Sequence, residues 1–284
     1  MNSSSRKIHV FDNGIRVYED HLLKSQKLRY KKCNVHEPEE EELFLDIIKN
    51  IRSTKEVGCY INIGTAIGYY PLLAKKNSNN LDIHAFEPLV LHRKFFSENI
   101  SLNSFNQSEF NLYEEGIASV SGSVEFIESS YGSSIRRNSS GRNIIRKTKR
   151  FLKTLLYKSN LFENKKIVTI SVINLDDFLN KLGKEVDLCQ MDIQGLEVDA
   201  LEGGKESLKT GRIKTFLIGT HGGKVHSDCI SILIDSNYEI EFEECDTATQ
   251  PDGIIVASKG LIRLKSKDLG EGVNKNLKMG GVAT

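Results

Sequence analysis

The stretch Tyr60-Ile-Asn62-Ile-Gly64-Thr65-Ala-Ile-Gly68-Tyr69-Tyr70 decides the fold. Val57 to Ile63 reads as a buried strand, Gly64 to Gly68 as a turn, and Pro71 as a residue that can begin a helix. A strand that passes through a glycine turn into a helix is the building unit of a doubly wound sheet. Gly64 and Gly68 allow a sharp turn and let a ligand approach where a Cβ would stand. The full G-x-G-x-x-G pyrophosphate fingerprint is missing, because Ala66 and Ile67 lie between these two glycines.

Outward from this stretch the pattern alternates. Glu39–Ile51 reads as a helix with acids in its first turn, Ile83–Phe86 as a strand and Leu89–Leu102 as a helix. Strands follow near 110–117, 124–127, 168–173, 186–192 and 213–220, with helices at 176–182, 198–208 and 225–235. Strands near 238–242 and 253–257 close the series. The alternation predicts an α/β fold with a mostly parallel sheet covered on both faces, binding ligands at the carboxyl ends of its strands. Before it, Ile8–Tyr18 with Asn13-Gly14 at its centre predicts a hairpin, so residues 1–38 are expected as a small β appendage to a domain over 39–262. The polar, glycine-rich residues 263–284 are expected to form a flexible tail.

Composition narrows the class. At 39% hydrophobic and 27% charged residues, the 284-residue chain can bury a core and is not disordered throughout. A net charge of +1 does not mark a nucleic-acid binder. Five widely spaced cysteines without a C-x-x-C pair suit reduced thiols, and no secretory signal or membrane span is read, so a cytoplasmic protein is expected. The near-neutral total conceals residues 134–166, with eleven basic residues against Glu163 alone. There Ile144, Ile145, Phe151, Leu152, Leu155 and Leu156 share a helical face, which predicts a basic amphipathic helix. Such an insertion suits an anionic acceptor or peripheral contact with an anionic membrane surface. It lacks the interleaved aromatics that base stacking needs.

Three strand ends carry candidate chemistry. Glu87, in His84-Ala-Phe-Glu87-Pro88, stands where an acid accepts hydrogen bonds from ribose hydroxyls and implies a nucleoside ligand. Asp192, in Gln190-Met-Asp192-Ile-Gln194-Gly195-Leu-Glu197, ends a buried strand and is either a functional carboxylate or a helix cap. His221, in Thr220-His221-Gly-Gly223, ends the next strand and can take a proton at neutral pH. His226 is a weaker candidate, and no recognised metal-ligand spacing is present.

In order along the chain, Asn62-x-Gly64-x-x-x-Gly68-Tyr69, Ala85-Phe-Glu87-Pro88, Glu98-Asn99-x-x-x-Asn103, Leu175-Asp176-Asp177 and Met191-Asp192-x-x-Gly195-x-Glu197-x-x-x-Leu201-x-Gly203 resemble the FkbM family of methyltransferases, over about Glu40 to Lys259. The resemblance implies a class I methyltransferase, Rossmann-like fold whose last strand is antiparallel. It also implies S-adenosyl-L-methionine as cofactor and O-methylation of a hydroxyl on a sugar, glycan or other natural product. Asn62, Gly64, Thr65, Gly68, Tyr69, Glu87 and Pro88 would then hold the cofactor, Asp192 or His221 would be the base, and Gln194 would orient the substrate. The chain departs from the family pattern where Asn62 replaces an expected Asp, Gln190 a Lys and Gln194 a Glu. Two rival readings remain at this point: a nicotinamide-dependent dehydrogenase, and a nucleoside-binding protein that has lost catalysis.

Overall fold

The computed structural model describes residues 6–128, 134–136, 166–245, 253–260 and 264. The chain runs β1 (Ile8–Val10), β2 (Arg16–Tyr18), α1 (Lys24–Tyr30), α2 (Pro38–Thr54), β3 (Gly58–Ile63), α3 (Tyr69–Asn77), β4 (Leu81–Phe86), α4 (Val90–Leu102) and β5 (Asn111–Tyr113). It continues with β6 (Gly116–Ile117), β7 (Gly122–Glu128), β8 (Ser134–Arg136), β9 (Lys166–Ile173), α5 (Leu175–Leu182), β10 (Val186–Met191), α6 (Glu197–Glu202) and α7 (Lys205–Thr210). The last elements are β11 (Ile213–Thr220), α8 (Gly223–Asp235), β12 (Glu239–Glu244) and β13 (Gly253–Ser258).

Seven strands form the main sheet in the order β12-β13-β11-β10-β3-β4-β5. β3 pairs in parallel with β4 and β10, whereas β13 is antiparallel to both β11 and β12. This is the expected Rossmann-like sheet with its last strand reversed. The chain winds outward from β3 to β5, returns to β10 on the other side of β3, and so places the switch point of the topology between β3 and β10.

The period of two along β3 sorts its side chains between two cores. Tyr60 joins one cluster with Leu43, Phe44, Ile47 and Ile48 of α2, while Cys59, Ile61 and Ile63 join a second with Leu201, Leu208 and Leu233. Each fully buried aliphatic side chain contributes about 1.5–3 kcal/mol. Asn62 shares the Tyr60 face and pairs in register with Gln190 of β10, which brings both amides toward α2. Pro38 begins α2 and Glu39, Glu40 and Glu41 fill its first turn, as the helix dipole favours.

The hairpin forms at Asn13-Gly14, with β1 and β2 antiparallel. Its Phe11, Ile15 and Val17 are buried in the same cluster as α2, and Leu264 joins them. Three element boundaries differ from the sequence reading. The strand expected near 110–117 is two strands: β5 closes the main sheet and β6 starts a second, four-stranded sheet in the order β6-β9-β7-β8, separated by the charged pair Glu114-Glu115. The helix expected at 198–208 is broken into α6 and α7 at Gly203-Gly204, because a Cβ on Gly203 would lie 2.3 Å from the Ala118 carbonyl oxygen and the chain turns there to fit. α3 begins at Tyr69 rather than Pro71: Gly68, in a left-handed conformation that glycine adopts without strain, turns the chain, and its carbonyl accepts from Leu72 N at 3.0 Å. The amphipathic helix expected within 134–166 lies largely outside the described residues, as does the tail beyond Leu264.

Candidate active site

A cavity of about 290 Å³ opens at the carboxyl ends of β3, β4 and β10. Asn62, Gly64, Thr65, Tyr69, Glu87, Pro88, Asp192 and Gln194 all line it. Gly68 and His221 are not on its wall. The glycines also serve the chain's own packing. A Cβ on Gly64 (φ +89°) would meet the Asp192 carbonyl oxygen at 2.0 Å, and one on Gly68 (φ +85°) would meet the Phe96 ring at 1.8 Å. Gly64 thus lets the turn after β3 close against the loop after β10.

Glu87 is 4% exposed and anchored by backbone amides. Its Oε2 accepts from Ala66 N at 2.8 Å and its Oε1 from Leu89 N at 2.9 Å, which fixes the carboxylate between the glycine turn and the start of α4. His92 Nδ1 also stands 3.5 Å from Oε1, and Oε2 keeps a further lone pair for a ligand hydroxyl. Around it Phe86, Pro88, Leu89, Ile117, Ile170 and Val172 make one end of the cavity apolar, the last three from the second sheet.

The other end is polar. Asn62 Nδ2 donates to Gln190 Oε1 at 2.9 Å, Tyr60 Oη donates to the same oxygen at 2.6 Å, and Gln190 Nε2 donates to Glu40 Oε1 at 2.8 Å. An acid of α2 therefore reaches the position where the charges expected at 62 and 190 are missing. Asn62 Oδ1 and Thr65 Oγ1 are buried with no hydrogen-bond partner in the protein. Each such atom costs about 1–3 kcal/mol, which a polar ligand in the cavity would offset. Tyr69 is held by its own chain rather than by a ligand: its hydroxyl donates to Glu41 Oε2 and accepts from Asn13 Nδ2. Burial and the neighbouring Glu41 carboxylate push that phenol far above its ordinary range.

At the rim, Asp192, Gln194 and His221 come together. Gln194 Nε2 donates to Asp192 Oδ1 at 3.2 Å and lies 2.7 Å from His221 Nε2, while His221 Nε2 stands 3.5 Å from Asp192 Oδ1. The ring's other nitrogen, Nδ1, is 3.1 Å from Glu197 Oε1. Glu197 is fully buried, and the same oxygen accepts from Ile193 N and Gly195 N. A carboxylate can only accept, so the proton sits on Nδ1 and Nε2 carries the lone pair. Glu197 was present in the sequence motif without a role; the clue was an acid just inside a helix start whose surroundings are apolar. His226 is turned elsewhere, between Thr220 Oγ1 at 2.8 Å and Glu243 Oε2 at 2.9 Å. Among the described residues, Asp192, Glu197 and His221 also have the spacing of metal ligands.

The sheet order and this cavity agree with what the chain is similar to. Residues 57–248 match the Methyltransferase FkbM domain. The chain belongs to the FkbM methyltransferase family. A putative methyltransferase from Jannaschia sp. (strain CCS1) is 33% identical over 79 residues, 28% of this chain and 27% of that protein, so the alignment spans about a quarter of the relative's length. Among solved structures, a precorrin-6y C5,15-methyltransferase from Geobacter metallireducens GS-15 has a TM-score of 0.45 at 13% identity, covering 89% of this chain and 98% of its own. A ribosomal protein L11 methylase from Lactobacillus delbrueckii subsp. bulgaricus has a TM-score of 0.44 at 12% identity, covering 80% and 81%. The family match and the strand order, rather than these distant likenesses, place the chain.

S-adenosylmethionine, the cofactor that the family implies, fits the residues present. The apolar end suits a base, Glu87 suits ribose hydroxyls, and the unpartnered Asn62 Oδ1 and Thr65 Oγ1 suit a polar end. No helix among the described residues is long and apolar enough to cross a membrane.

Proposed function

We propose that the protein is an S-adenosylmethionine-dependent O-methyltransferase acting on a hydroxyl of a sugar, glycan or other natural product. When bound, the cofactor supplies an electrophilic methyl group. The chain contributes position and proton removal. Glu87 holds the ribose, Asn62 and Thr65 engage the polar end, and the Asp192–Gln194 loop forms the wall on which an acceptor rests. A hydroxyl is a weak nucleophile and must lose its proton as it attacks, so an oxygen acceptor calls for a base.

The single observation that carries this reading is the His221–Glu197 pair beside that wall, with the His221 Nε2 lone pair directed at Gln194. An acceptor hydroxyl that displaces the Gln194 amide would donate its proton to His221 Nε2. Asp192 would hold the imidazolium that results. The charge of residues 134–166 supports an anionic acceptor, or an acceptor presented at an anionic membrane surface. The test is transfer of labelled methyl from S-adenosylmethionine to a panel of neutral and anionic glycans and hydroxylated natural products. The reading predicts label on oxygen, lost in His221→Asn. Tight binding of the cofactor product with no transfer to any member would favour the nucleoside-binding alternative.

A further inference from the structure

The cavity does not end where the family domain ends. Gln26, Arg29, His36 and Glu37 line it, yet all precede residue 57, the first that matches the family. They come from α1 and the segment leading into α2, which the hairpin core of Phe11 and Tyr30 packs against the sheet. Two of them carry opposite charges. Arg29 Nη2 stands 3.9 Å from Glu37 Oε1, at the limit of an ion pair, and the side chains are 32% and 11% exposed. Glu37 Oε2 accepts from Tyr70 Oη at 3.2 Å, which ties the pair to α3, directly after the glycine turn.

His36, between them in the wall, adds no charge at neutral pH. Burial, helped by the Arg29 charge, pushes its imidazole down to about 3, and its Nδ1 lies 2.5 Å from Tyr30 Oη. What the cavity presents here is one cation, one anion and one neutral acceptor, Asn62 Oδ1, buried and unpartnered. That set complements a zwitterion. An α-amino acid group offers a planar carboxylate to a guanidinium and an ammonium to carboxylate and amide oxygens.

Building on the cofactor reading above, we propose that the segment before the family domain holds the amino-acid end of S-adenosylmethionine, with Arg29 taking its carboxylate and Glu37, together with Asn62 Oδ1, its ammonium. Glu37 then supplies the negative charge that the Asp-to-Asn departure at 62 removes. The base and ribose subsites, built by Glu87 and the apolar end, do not involve these residues.

Two probes separate the ends of the ligand: S-adenosylhomocysteine, which has the amino-acid group, and 5′-methylthioadenosine, which lacks it. Calorimetric titration of the full chain should show that Arg29→Ala and Glu37→Gln each weaken S-adenosylhomocysteine binding about tenfold or more, while methylthioadenosine affinity stays within about twofold of wild type. Arg29→Lys should recover part of the loss. Equal losses for both probes would show a merely structural role and overturn the assignment, as would variants that bind both probes normally. Wild-type protein that binds methylthioadenosine as tightly as S-adenosylhomocysteine would also overturn it. Wild-type protein that binds neither would overturn the cofactor reading and the assignment with it.

Discussion

At the carboxyl ends of β3 and β4, Glu87 is 4% exposed and each of its oxygens accepts a backbone amide. At the ends of β10 and β11, by contrast, Gln194 is exposed, Asp192 is half-buried, and both reach His221 through side-chain atoms alone. The first region is set by main chain and moves only if the turn moves. The second can exchange partners when an acceptor arrives, because its contacts are side-chain contacts on a loop. The inner part of the second region is fixed by buried Glu197, which clamps two loop amides and the far nitrogen of His221. A rigid half for recognition beside an adjustable half for chemistry is the arrangement that lets an enzyme hold its cofactor tightly and still admit and release an acceptor.

The largest expected effect comes from the point where the two regions touch. Gly64→Ala places a Cβ 2.0 Å from the Asp192 carbonyl oxygen in a left-handed backbone. Strain of about 1–3 kcal/mol and overpacking of about 1–3 kcal/mol should together lower the unfolding free energy by about 2–6 kcal/mol in urea titrations. A variant within about 0.5 kcal/mol of wild type, the scale of an ordinary surface change, would mean that the two regions are not closed against each other.

Next in size is the separation of binding from chemistry. His221→Asn should lower kcat about 10²-fold, with cofactor-product affinity within about twofold of wild type. If affinity falls as far as kcat, the rim is part of the recognition half and the contrast fails.

A third test concerns His36 in the polar wall. Its folded-state value of about 3 lies below the ordinary 6.5, so the unfolded chain binds the extra proton first. Its neutral form contributes stability that is complete above pH 6.5 and is lost as pH falls toward 3. Relative to His36→Gln, wild type should lose about 1.4 kcal/mol per pH unit across that window. Parallel stability profiles for the two proteins would show that His36 titrates normally and that this wall is open to water.

Much of the first region was legible because its parts are close in sequence. A strand, a glycine turn and the acid at the next strand's end are read from about thirty residues, and the parallel register of β3 with β4 brings them together. The second region was legible only in part. Asp192, Gln194 and His221 are strand-end residues that a doubly wound sheet must place on one edge, so their meeting followed from topology. Glu197 did not stand out, because an acid in a first helical turn is ordinarily a solvated partner of the dipole. The same habit hid Glu40 and Glu41, which look like dipole partners in sequence but are 2% and 6% exposed and bonded to Gln190 and Tyr69. Residues 26–37 carry no motif, and their place on the cavity depends on tertiary packing of Phe11 and Tyr30. The second sheet was read as strands but not as a separate sheet, since strand patterns do not say which neighbour a strand will find.

The central claim is that this cavity binds S-adenosylmethionine with its ribose on Glu87. Its most direct test is calorimetric titration of S-adenosylhomocysteine into wild type and Glu87→Gln, with NADH as the competing ligand. The account predicts binding to wild type, no comparable binding of NADH, and an affinity lowered about 10- to 150-fold in the variant, corresponding to about 1.5–3 kcal/mol for hydrogen bonds to a charged group. Unchanged affinity in a folded Glu87→Gln protein, or a wild type that prefers NADH, would contradict it.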